Sequence, residues 1–411
     1  MSTRKAPRDG PDGAGPRPAS PQVGDGADSL EALLAAKEIA VVCGPGGVGK
    51  TSVAAAAAAM AAWHHGGRVL VVTVDPARRL ASALGLSQSG DVPEQVPSSA
   101  FRAVGAVPQG ELWAAMIDTK KSWDRLVTRH APDRATAQRI LTNPLYQDIA
   151  GRFVQSHDYI AVERLYELHS EGEYDLIVVD TPPSRNAVDF LLAPERVEDF
   201  FQSRLLRFLT VPYRSRLMDI AARPFYHVAD RVLGSQFLQD IAEFFILFQT
   251  MSEGFVSRAQ EVGRLLTDRR TTFVVVSTLE AGPVREAETF MGMLPARGLH
   301  LGALVLNRVL PDYLLADGLQ ERAEDLCDRA SELAATLCGP DGPLPGNDPA
   351  QVARVLREVG TNFNNVGVVA RREANQRADL ARSPRLSISV PELEEDVHDL
   401  AGVLKLGSHI W

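Results

Sequence analysis

The 411-residue chain has only three cysteines, Cys43, Cys327 and Cys338, and no C-x-x-C pair. A disulfide framework is therefore not expected, and neither is a structural zinc site built on paired thiolates. Sparse thiols fit a reducing compartment. Long apolar runs are missing too: none approaches the roughly 18 residues of a membrane-spanning helix. The N-terminus carries charges but lacks the apolar stretch of a signal peptide. The reading is a soluble, cytoplasmic protein, and its composition is compatible with peripheral contact at a membrane. No run of Lys and Arg stands out. The formal net charge is −9, so the overall field disfavours nucleic acid as a partner.

Residues 1–28 hold five Pro and five Gly and almost no large apolar side chains. Such a segment buries too little surface to offset its ordering entropy, and a disordered tail is expected. The folded body is expected over residues 29–405, with 406–411 as a short tail. Ser29 opens a brief helical lead-in. Short β-branched runs then recur between helical stretches: Glu38-IAVVC, Arg68-VLVVTVD, Tyr174-DLIVVD, Thr271-TFVVVS, Leu301-GALVLN and Leu386-SISVP. Continuous apolar runs of this length read as strands buried on both faces. Their alternation with helices predicts an α/β fold, a doubly wound, mostly parallel sheet. Segments of about 110–172 and 185–270 read as helical and are expected to form an inserted helical subdomain.

The second of these segments holds nine of the fifteen phenylalanines, between Phe200 and Phe255. Phe237, Leu238, Ile241, Phe244, Phe245 and Phe248 fall on one wide helical face. That face is either the core of the subdomain or a groove for an apolar client or membrane-protein segment. Flexible methionines suit a groove, and only Met218 and Met251 lie between 185 and 270, which favours the core.

The chemistry concentrates at Gly44-Pro-Gly-Gly-Val-Gly-Lys50-Thr51, a match to G-x-x-x-x-G-K-[ST]. A strand precedes it and an Ala-rich helix, Ser52 to Trp63, follows, as the motif requires. Gly44, Gly46, Gly47, Val48 and Gly49 would present backbone N–H groups to phosphates, and Ser52 continues the helix N-terminus. Lys50 would reach the β- and γ-phosphates, and the Thr51 hydroxyl would ligate Mg²⁺. Asp75 follows the second strand in Asp-Pro-Ala. It is either a carboxylate that orients or deprotonates water, or the first residue of a turn. Asp180 ends four apolar strand residues, a pattern that holds Mg²⁺ directly or through water. Asn307 ends the fifth strand, where an amide can recognise adenine or simply start a turn.

With these segments in this order, the chain resembles the ArsA-type ATPases, which include the arsenite-pump ATPase and the factor that targets tail-anchored proteins. The resemblance covers roughly residues 36–405. It implies a dimerising P-loop ATPase using Mg²⁺ and ATP, with Lys50 on phosphates and Thr51 on Mg²⁺. It also implies switches at Asp75 and Pro76 and at Asp180, Thr181 and Pro182, with Asn307 at adenine and Pro391 near the base. The sequence departs from the family at Pro45. The family carries a lysine there that reaches the partner subunit's phosphates. Proline brings neither charge nor N–H. Either a paralogous partner supplies the cation, or Arg78, Arg79 or Arg185 does, or hydrolysis is slow. Homodimer and heterodimer both remain open, as does a regulatory role beside a catalytic paralogue. The family's zinc cysteines and arsenite cysteines have no counterparts, so neither Zn²⁺ nor arsenite is expected. A Min- or Par-like positioning role would want a basic amphipathic C-terminus, whereas Pro391-ELEEDVHDLAGVLKLGSHIW starts acidic.

Overall fold

Among the described residues eight strands form one sheet. They are β1 (Ile39–Cys43), β2 (Arg68–Thr73), β3 (Glu94–Gln95), β4 (Glu111–Met116), β5 (Leu176–Asp180), β6 (Thr271–Ser277), β7 (Leu301–Val309) and β8 (Leu386–Pro391). The spatial order is β3-β4-β2-β5-β1-β6-β7-β8. Every pair is parallel except the short edge pair β3–β4. The computed structural model describes residues 28–73, 79–86, 91–149, 156–181, 244–380 and 384–411, with 192, 193, 195, 196 and 199. The expected disordered tail lies outside these residues, apart from Asp28.

Alternation along the strands separates two cores. Ile39, Val41 and Cys43 of β1 face one layer with Leu70, Ile177, Val179, Phe273 and Val275. Ala40 and Val42 face the other with Val69, Val71, Val178, Val274 and Val276. Both faces are dry, which is why the central strands read as unbroken apolar runs. Helices Thr119–His130, Ser156–Glu171, Ser252–Thr267 and Ala281–Ala296 contribute to the first core. The helix Lys50–His64 lies in the second, together with Leu30–Ala35 and Leu400–Ile410. This is the doubly wound arrangement that the strand–helix alternation predicts.

Lys50–His64 is apolar nearly all round, and every residue from Val53 to Ala62 is buried. Its alanines let a second layer approach. Gly407 of Leu400–Ile410 lies so close that an added Cβ would stand 2.5 Å from Met60 Cγ. The expected tail at 406–411 is thereby corrected. Leu406 and Ile410 are buried in this helix, and Trp411 stacks on His64 at 5.8 Å between ring centroids. A second correction concerns Glu111–Met116, which sits within the stretch that reads as helical. It pairs in parallel with β2, burying Leu112, Ala114 and Ala115. Its sequence ELWAAM has no β-branched residue, so the local pattern did not mark it as a strand.

The described part of the Phe-rich stretch packs inward. Phe244, Phe248 and Phe255 are buried with Tyr159, beside the half-buried Trp123, in a cluster of rings 5.2–6.4 Å apart. Phe237, Leu238 and Ile241 of the same predicted face lie outside the described residues. Beside the cluster, Arg258 Nε donates to Glu163 at 2.7 Å. Burial pushes the Glu163 carboxyl above its ordinary value, and Arg258 opposes that rise. Phe255 is fully buried, so Phe255→Ala should cost about 3–5 kcal/mol in urea unfolding while the folded variant binds ATP unchanged. Unaltered stability in that variant would contradict the core assignment.

Candidate nucleotide-binding site

β1 is central, flanked by β5 and β6, and its carboxyl end opens a crevice where ligands of such sheets bind. Gly44 makes the turn out of β1. Its φ is +144°, and an added Cβ would stand 2.1 Å from the Val276 carbonyl oxygen of β6. Only glycine lets the chain leave the sheet there. The loop runs to Gly49, the residue before the helix Lys50–His64, with φ +93° and no side-chain cap. The first-turn N–H groups of that helix are thus left to face the crevice. With the helix dipole they form an anion site.

Lys50 is buried, and its Nζ donates to the Pro45 carbonyl at 2.8 Å. The ammonium is held back across the loop, above the place where phosphates would lie. Thr51 Oγ1 donates to Asp180 Oδ2 at 2.7 Å. Thr73 Oγ1, at the end of β2, donates to the same oxygen at 2.7 Å. In register, Asp180 stands beside both Val42 and Thr73. Three adjacent strands and the helix start therefore meet at one fully buried carboxylate. Hydroxyl and carboxylate oxygens together are the hard donors that Mg²⁺ accepts, so this pair fits the ion. Thr181 is fixed to β1, since its N–H and Oγ1 both donate to the Val42 carbonyl, at 3.2 and 3.0 Å.

Asn307 ends the buried run of β7 and stays buried itself. Its Nδ2 donates to the Val48 carbonyl at 2.9 Å, and its Oδ1 accepts from the Arg308 N–H at 3.0 Å. An added Cβ on Gly49 would come 2.4 Å from Asn307 Nδ2. The amide thus buttresses the loop from the side. A cleft of about 710 Å³ opens over Gly47, Gly49, Lys50, Thr51 and Ser52. Asn307, Arg308, Pro391, Glu392, Leu393 and Val397 also line it.

The structure brings Lys50, Thr51, Asp180, Thr181 and Asn307 together around the loop. Asp75, Pro76 and Pro182 lie outside the described residues, as do Arg78, Arg185 and the side chain of Arg79. β2 ends two residues before Asp75. Sequence reasoning passed over Thr73, whose signal is a hydroxyl closing an apolar strand beside a second strand that closes in Asp. It also passed over Arg308 and the wall at 392–397. Cys43 is buried in β1, and its Sγ donates to the Val274 carbonyl at 3.6 Å. Burial pushes its thiol well above the ordinary range, against the lowering influence of Lys50. Cys327 lies on Leu319–Asp328, and Cys338 follows Ala330–Leu337. Among the described residues no group of three His, Cys, Asp or Glu side chains is placed to hold a metal.

A parallel sheet with its first strand feeding a glycine loop and an uncapped helix start defines a P-loop nucleotide-binding fold. The profile of the anion-transporting ATPases, the ArsA ATPase family, matches residues 37–330, and the chain belongs to that family. An uncharacterised protein of Streptomyces coelicolor is 32% identical over 67% of this chain and 64% of its own length. The chain thus spans less than two thirds of that relative. The Mycobacterium tuberculosis protein named ATPase BagA is 26% identical over 92% of this chain and 93% of its own. A Chlorobaculum tepidum protein, provisionally named an arsenical pump-driving ATPase, is 22% identical over 65% and 60%.

The contact between Asn307 and the loop predicts coupling. Gly49→Ala and Asn307→Ala should each weaken ATP binding in calorimetric titration. Because Asn307→Ala removes the atom that the new methyl strikes, the double variant should lose less than the two singles combined. Strictly additive losses would show that Asn307 does not brace the loop.

Proposed function

We propose that this protein binds Mg·ATP at Gly44–Ser52 and hydrolyses it, working as a nucleotide-switched dimer that couples ATP to a targeting or energy-transfer task. The observation that carries the reading is the convergence of Lys50, Thr51 and Asp180 at an uncapped helix N-terminus. Magnesium, held by Thr51 and Asp180, would supply positive charge against the β- and γ-phosphates. Lys50 exchanges the Pro45 carbonyl for phosphate oxygens, a short swing for a side chain already aimed along the loop. The N–H groups of Gly47 to Ser52 bind the remaining oxygens without reorganising. Asp75 orients the attacking water and takes its proton. Asp180, Thr181 and Pro182 form the second switch; the bonds from Thr181 to Val42 tie any motion there to β1. Asn307 keeps the loop closed beside the base.

Pro45 favours a second reading. It contributes a carbonyl to Lys50 but no cation to a facing subunit. Such cations are worth roughly 10³–10⁵ in rate where they occur. A regulatory subunit paired with a catalytic paralogue would tolerate their loss, whereas a homodimer would need Arg78, Arg79 or Arg185. A cytoplasmic setting, with docking to a membrane-protein partner or an apolar client, belongs to the first reading. Among the described residues no helix is long and apolar enough to cross a membrane. Three cysteines scattered along the sequence do not suggest a soft-ligand site, so arsenite is not part of the proposal.

Purified wild type should show ATP turnover that Lys50→Ala abolishes. Asp75→Asn should keep binding within about threefold and lose turnover by roughly 10²-fold or more, the scale of a general base. Turnover in wild type alone excludes the purely regulatory reading. Turnover appearing only with a paralogous ATPase supports it. Normal turnover in Asp75→Asn removes that carboxylate from the mechanism.

A further inference from the structure

Arg308 is the one non-glycine residue with positive φ among the described residues, at +57°. An L-residue with a long side chain adopts this conformation at a steric cost, and such costs collect where a side chain must be aimed. Glycine would remove the cost. The arginine side chain is exposed and lines the nucleotide cleft directly after Asn307. Asn307 Oδ1 accepts the Arg308 N–H at 3.0 Å, which holds the turned backbone in place. Among the described residues the guanidinium takes part in no ion pair that would explain the conformation from within the protein.

The cleft has two electrically different ends. The loop end offers Lys50 and backbone N–H groups. The lining from Pro391 onward carries Glu392, Glu395 and Asp396 beside Leu393 and Val397. Carboxylates there repel phosphates and accept hydrogen bonds from amino and hydroxyl groups, while the apolar side chains suit a flat ring. Arg308 belongs to this second end. Val309, next in sequence, pairs with Pro391 and accepts the Glu392 N–H at 3.1 Å.

We propose that Arg308 clamps the purine base of the bound nucleotide, its guanidinium plane lying over one face of the ring while Pro391 and Leu393 meet the other. A guanidinium over an aromatic base gains from cation–π attraction and stacking, and the ring needs no particular edge pattern for it. The inference rests on the reading of the cleft as a nucleotide site. It adds a side chain that nothing in the loop motif specifies.

Arg308→Gly keeps the backbone conformation and removes the clamp. The expected result is a melting temperature equal to or above wild type together with about tenfold weaker ATP binding in calorimetric titration. Affinity for inorganic tripolyphosphate should stay within twofold. Arg308→Lys, which keeps the charge without the plane, should recover only part of the loss for ATP. Equal weakening for ATP and tripolyphosphate would assign Arg308 to the phosphates and overturn the proposal. Unchanged ATP affinity in Arg308→Gly, with binding still lost in Lys50→Ala, would overturn it while leaving the nucleotide site intact. No ATP binding by wild type would remove the nucleotide reading itself.

Discussion

One buried carboxylate organises the site. Asp180 accepts hydroxyl hydrogens from Thr51 and Thr73 on the same oxygen, so the ends of β2 and β5 and the first turn of the loop helix share a single point. A carboxylate that loses its hydration needs such donors, because unpaired charge in a dry interior is costly. Thr51 spends only its hydroxyl hydrogen on Asp180 and keeps its lone pairs for a divalent cation. Loop and sheet are therefore mechanically joined before any ligand arrives. Asn307 supplies the second tie, from β7 to the Val48 carbonyl.

Much of this was legible in the sequence, for physical reasons. Strands buried on both faces give continuous β-branched runs, and β1, β2, β5, β6 and β7 were recognisable on that ground; β8, a part-exposed edge strand, was recognisable from its alternating LSISVP pattern. The loop was legible because positive-φ turns and close approach to β6 force glycine at Gly44 and Gly49. β4 was not, because Leu112, Ala114 and Ala115 bury themselves without β-branching. The helix Leu400–Ile410 was missed because its sequence reads as only weakly amphipathic. Gly407 is there to let the helix lie against Met60. Asn307 could be placed at a strand end, but its partner, Val48, lies 259 residues away, and no local pattern encodes that contact. The backbone turn at Arg308 left no trace in sequence at all.

The proposed function separates binding from hydrolysis. The groups that would hold phosphates are all present and preassembled. Pro45 contributes a carbonyl to Lys50 and no cation of its own. Proline also stiffens the loop by fixing its own φ. On the proposed function, a stable nucleotide complex is favoured and the rate of hydrolysis falls to groups elsewhere, in the proposed switches or on a partner subunit.

The most direct test of the central claim is calorimetric titration of the full chain with ATP, with and without magnesium. The account predicts saturable one-to-one binding that is markedly tighter with magnesium, and a Thr51→Ala variant in which the magnesium effect is largely lost. Binding indifferent to magnesium in the wild type, or no binding at all, would contradict it.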